Sequence, residues 1–289
     1  MVPRCLYPWS LAFLALLGLE ATSARAASIQ FTGNVQNDFN PVTNPNVTIT
    51  PVSSNPLNIG QSQWITNNGW ISGWSIQDIR TSYDAKTDTL SVGVDNFKNA
   101  SGQIAPFGQA NGDPSGTPTG YDPAHLGGDK SFALAIAPVN AASPAQPGAA
   151  VAIAGIPADK TTAGTGIDGF TVAKFNAANA SSGLAYQFGA ALPQNTGTLA
   201  FDPSPSHPQL EFTIPNFSKI PGLDPSKGFW ISAYAGSSLD GVAGEAYLAW
   251  SKVPVNAAQS IPEPATWLAW SLGAGAMAWR LRRRVHARA

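Results

Sequence analysis

Three aspartates stand in the stretch NGDPSGTPTGYDPAHLGGDK: Asp113, Asp122 and Asp129. They offer carboxylates among many backbone carbonyls, the oxygen mixture a hard cation such as calcium takes. They form no D-x-D-x-D-G loop, and Asp before Pro or Gly is also ordinary turn chemistry. The stretch QWITNNGWISGWS brings Trp64, Trp70 and Trp74 close together. In an extended segment Trp70 and Trp74 share a face and could stack on sugar rings, making them candidate carbohydrate contacts. Packing in the core is the competing and commoner fate of such rings. Other chemistry is sparsely provided. No G-x-S-x-G nucleophile elbow occurs. His125 and His207 stand in Pro-rich loops and are expected to be solvated. Two histidines without cysteine cannot close a zinc site of the usual kind. A glycosidase needs two carboxyl groups across a cleft. Glu211 and Glu245 are the body's glutamates, and Glu211 is expected on the outward, wet face of a strand.

The elements that must position these groups are strands. Between Ala27 and Ser260 no long segment has apolar residues at helical spacing. Turn signals such as Asn-Pro, Asp-Pro, Asn-Gly and Gly-Gly recur instead, with short β-branched or aromatic runs between them. The clearest run is Trp74 to Phe97. Ile79, Thr81 and Tyr83 fall on one face with Arg80 and Ser82 opposite, and Leu90, Val92 and Val94 alternate with Ser91, Gly93 and Asp95. That pattern predicts a hairpin with one buried and one wet face, closed by a five-residue loop, Asp84–Asp88. Further strands are predicted at 28–32, 47–51, 132–137, 150–154, 170–175, 184–188, 198–201, 210–214, 229–235 and 246–253. Large groups on both sides of 228–236 predict a strand buried on both faces. The fold expected is all-β, an antiparallel β-sandwich of the jelly-roll or Ig-like kind, in one domain spanning 27–260.

The two ends follow other rules. Residues 1–26 hold Arg4, an apolar run from Leu11 to Leu19 and the small-residue site Ala24-Arg25-Ala26. This is the layout of a secretory signal peptide cleaved after Ala26 by signal peptidase. The sole cysteine, Cys5, lies in that segment, so the exported body would have neither disulfide nor thiolate metal site. Residues 261–289 carry Pro262-Glu263-Pro264, an uncharged run over 265–279, and Arg280, Arg282, Arg283 and Arg284. As a helix, that run would reach roughly 22 Å, short of the ~30 Å hydrocarbon layer, giving a marginal membrane span. The arginines would stay on the cytoplasmic side. Between the ends remain 9 basic and 15 acidic residues, with one arginine, Arg80. That balance argues against a nucleic-acid face.

The order PEP, apolar run, arginine cluster resembles the PEP-CTERM sorting signal of exopolysaccharide-producing Gram-negative bacteria. The resemblance covers about the last 28 residues. It implies export, a transient inner-membrane stage, recognition by an exosortase-type membrane protease, and delivery to the cell surface or extracellular matrix. Residues Asp78 to Val94 also look like a recurrent hairpin of exported bacterial β-sandwich proteins, D-I-R-x-S-Y-D followed by T-D-T-L-x-V-G-V; this implies a fold and no activity. The expected role is non-enzymatic, structural or adhesive, in an exopolysaccharide context. A carbohydrate-binding module is the alternative, and a polysaccharide-active enzyme comes third.

Overall fold

The computed structural model describes residues 29–54, 63–116, 124–158, 169–202, 204–237 and 246–254. The cleavage site Ala24-Ala26, Cys5, Asp122, Glu245 and the whole sorting segment with Pro262, Glu263, Pro264 and Arg280–Arg284 lie outside the described residues. Among the described residues no helix is long and apolar enough to cross a membrane.

The chain is mostly β. Its elements in order are α1 (Val35–Asp38), β1 (Val47–Pro51), α2 (Gln63–Asn67), β2 (Ile76–Asp84), β3 (Thr89–Asn96), β4 (Lys130–Pro138), β5 (Ala152–Ile156), β6 (Thr171–Phe175), β7 (Phe188–Ala191), β8 (Leu199–Ala200), β9 (Leu210–Pro215), β10 (Phe229–Ser237) and β11 (Ala246–Val253). Two sheets form among the described residues, ordered β1-β2-β3-β9-β8 and β11-β10-β4-β5-β6-β7. Every pairing in them is antiparallel. β3 and β4 pair with β9 and β10 respectively, so one antiparallel partnership is continued from sheet to sheet.

Period-two alternation builds the core. Ile79, Leu90, Val92 and Val94 from the first sheet join Phe132, Leu134, Ile136, Ala154, Ile231 and Ala233 from the second in one apolar cluster. Phe107, Phe132 and Phe212 link edge to face through its middle, at centroid distances of 5.9 and 6.0 Å. The predicted hairpin is present, but Asp84 pairs directly with Thr89, leaving a four-residue connection. Asp84 caps that turn by accepting from the Lys86 N–H and the Thr87 hydroxyl, both at 2.9 Å. Asp88 takes the left-handed conformation, φ 51°, which matches the twist a hairpin needs.

Several expectations fail instructively, among them the strand expected at 184–188, where Leu184–Tyr186 form a 3-10 turn. Residues 29–32 form no strand; they begin a strap that crosses the outer face of the first sheet. That face is therefore not wet. In β10 the outward Trp230 and Tyr234 are only half-buried, whereas β4 is the strand buried on both sides. Ala133 on the outer face of β4 packs with Ile153, Ala173, Phe175, Leu184 and Phe188, because the 3-10 turns after β6 fold back over the sheet.

Candidate functional site

The strap covers the densest group of ionisable side chains described. Val35 and Phe39 seat against Gly93 of β3, where an added Cβ would lie 2.7 Å from the Phe39 ring. The strap's polar groups meet charges carried by β2, β3 and β9. Arg80 Nε donates to Asp78 at 2.9 Å and Arg80 Nη2 donates to Asp95 at 3.1 Å. Arg80 Nη1 donates to the Phe39 carbonyl at 3.2 Å, tying the guanidinium to the strap. Gln209 bridges the layers: its amide N–H donates to Asp95 and its carbonyl accepts from the Val35 N–H, each at 2.7 Å. Gln36 on the strap donates to the other Asp95 oxygen at 3.0 Å.

Glu211 lies beside them, fully buried, and its Oε2 accepts from the Gly33 N–H at 2.8 Å. This corrects the expectation of a solvated surface glutamate. Burial raises its pKa from 4.5 to about 8, the Gly33 N–H opposes the rise, and the nearby Asp38 carboxylate adds to it. Asp78 is raised too, first by burial, against the pull of its bond to Arg80 and with a push from Asp95. An acid held neutral at pH 7 is what a general acid requires. Here, however, the carboxyl faces the underside of the strap, where it is engaged by the Gly33 N–H and by the strap's Asp38 carboxyl, so its hydrogen bonds are structural.

A second polar group gathers where residues 105–113 fold against 72–75. The Gly73 N–H donates to the Gln109 carbonyl at 2.9 Å, and Asn96 Nδ2 donates to the Gly73 carbonyl at 2.6 Å. Lys130, 1% exposed, donates through Nζ to the Gly108 carbonyl at 2.8 Å and lies 6.0 Å from the Trp74 ring centroid. Two candidate calcium ligands are in this region. Asp113 accepts from the Ser115 N–H at 2.9 Å, closing its own turn, and Asp129 accepts from the Ser237 hydroxyl. Among the described residues no group of three His, Cys, Asp or Glu side chains could hold a metal. His125 is buried here, not solvated as expected.

The structure separates the two candidate sugar-stacking tryptophans. The chain turns tightly at 72–75, with the Ser75 N–H on the Ser72 carbonyl at 2.9 Å, so the extended geometry assumed for Trp70 and Trp74 does not exist. Trp74 is fully buried against Phe107, 5.4 Å between centroids, and is a core residue. Trp70, half-buried, pairs instead with Trp64, which is 45% exposed; their rings meet edge to face at 5.0 Å.

No family model, no curated protein and no solved structure matches the chain. Sequence reasoning missed the clamp around Arg80 and Asp95, and the one signal for it was the opposite charge of outward positions on adjacent strands.

Proposed function

We propose that this is an exported, non-enzymatic protein of the cell surface or extracellular matrix, processed at both ends. The observation that carries the reading is the C-terminal order Pro262-Glu263-Pro264, uncharged run, Arg280–Arg284, together with a signal-peptide layout that gives the body the same outward orientation. An exosortase-type protease would act at the first element, and a transient membrane stage would rest on residues 265–279. The body's role is structural or adhesive. Its two sheets, sharing one core, are best read as a β-sandwich, and the continued β3–β9 and β4–β10 partnership favours a jelly-roll-like wrap over an Ig-like one. Its raised-pKa carboxyl is turned toward the strap rather than toward a substrate, which favours a scaffold over catalysis.

A second reading, a carbohydrate-binding module, is favoured by the tryptophan pair at the surface. Intact-mass measurement on protein recovered from cells and from medium tests the first. The expected masses lack residues 1–26 in both fractions and lack the arginine cluster in the released fraction. Full-length chains dissolved in the host cytosol would refute it.

A further inference from the structure

We propose that Trp64 and Trp70 form a contact site for a neutral polysaccharide, a polymer of hexopyranose rings with equatorial hydroxyls. The inference rests on the extracellular reading above but names a site that reading does not need.

Local sequence builds the corner. Helix α2 ends in a left-handed Gly69, φ 68°, with open space where a Cβ would stand. The Trp70 N–H then donates to the Ile65 carbonyl at 3.0 Å, and the Gly69 N–H donates to the Thr66 carbonyl at 3.1 Å. This double bond pattern is the Schellman C-cap, which reverses the chain and returns the residue after the glycine to the helix side. It brings Trp70 back beside Trp64. Ile65, fully buried, anchors the turn, and Gly112 packs against both Ile65 and the Ile71 carbonyl. The next residue back, Trp64, is left facing water. The two indoles meet at 77°, so they make a corner rather than a flat strip.

The chemistry around the corner selects the ligand. From Phe39 to Gln77 the chain has no charged side chain. The exposed residues flanking the rings in sequence are Gln63, Thr66, Asn67 and Asn68, which carry amides and a hydroxyl. That stretch offers no counter-charge to an anionic polymer, a phosphate headgroup or a basic peptide, and Asp113, next to the Gly112 that packs on Ile65, is buried and closes its own turn. A pyranose with equatorial hydroxyls has an apolar C–H face and a polar rim. Its C–H face suits an exposed indole, and its rim suits surrounding amides, which both donate and accept. One sugar ring fits against Trp64 with its edge toward Trp70. A surface platform of this size predicts weak single-site contact, which a gel dense in polymer can report.

Affinity electrophoresis of the mature protein in gels containing a soluble neutral β-glucan, hydroxyethylcellulose or laminarin, tests this. Retardation is expected in at least one neutral gel and is absent in alginate. Trp64→Ala should weaken retardation at least tenfold in apparent affinity while the melting temperature stays within about 2 °C of wild type. Trp70→Phe, which keeps a ring beside Trp64, should weaken it less. Equal retardation of wild type and Trp64→Ala, retardation by alginate in place of glucan, or none in any neutral gel would overturn the proposal. So would a change in oligomeric state on Trp64→Ala without any glucan effect. None of these results bears on the intact masses, so the site can fail while the export reading stands.

Discussion

Replacing Glu211 with glutamine should change how the protein's stability depends on pH. The carboxyl is fully buried, with a pKa near 8 when folded against 4.5 ordinarily. Because the folded pKa is the higher one, the folded state holds a proton that the unfolded state has released between those values. Stability from this group is therefore greatest below pH 4.5, falls as pH rises, and levels off above 8. Each pH unit inside the window costs about 1.4 kcal/mol, so from pH 5 to pH 9 the wild type loses about 3–5 kcal/mol through Glu211 alone. Glutamine is nearly isosteric, its carbonyl can still accept from the Gly33 N–H, and it does not titrate. Urea unfolding followed by tryptophan fluorescence at pH 5, 7 and 9 gives the comparison. Glu211→Gln should match wild type near pH 5 and exceed it by several kcal/mol at pH 9. Because the substitution removes only this titrating group, the difference reports Glu211 together with its coupling to Asp38. Stability curves that run parallel from pH 5 to 9 would refute the assignment of Glu211 as a buried neutral acid.

Two further substitutions probe the same clamp. Arg80→Met keeps volume but leaves Asp78 and Asp95 buried without their cation; it should cost about 3–5 kcal/mol at pH 7 and less at acidic pH, because burial raises the Asp78 pKa and lets that carboxyl take up a proton, as denaturant titration at the two pH values would show. Gly93→Ala places a methyl group 2.7 Å from the Phe39 ring; it should cost about 1–3 kcal/mol, part of it recovered in the double variant with Phe39→Leu, measured as a double-mutant cycle.

The sequence made the strands legible because side-chain alternation is a local property. Val47–Pro51 and Ala246–Val253 appear at the residues expected, and Leu90, Val92 and Val94 all point into the core. What lay over each sheet was not legible, since that depends on contacts between distant segments. Polar alternation reads as exposure to water, yet Arg80, Asp95 and Glu211 are covered by residues some forty to two hundred positions away. The same limit applies to the tryptophans. Spacing placed Trp70 and Trp74 on one face only if the chain stayed extended, and the turn at 72–75 with its partner segment 106–109 removed that condition. A hint was present at Gly69: a glycine six residues after Gln63, at the end of a short polar-apolar run, is where a helix C-cap belongs.

The buried charges also bear on how a body without cysteine keeps one arrangement. An apolar strap could slide on an apolar sheet, because hydrophobic contact has no direction. This strap cannot slide cheaply. Moving it by one residue would separate Val35 N–H from Gln209, Gln36 from Asp95 and Gly33 N–H from Glu211 together. Each buried group left without its partner costs about 1–3 kcal/mol, more where it is charged. The charge cluster thus fixes register where the apolar contacts of Val35 and Phe39 supply adhesion. The network therefore adds specificity of position more than stability. A strap held only by its apolar residues should then stay attached but lose its unique position, broadening the resonances of residues 29–47 while leaving those of β4 and β10 sharp.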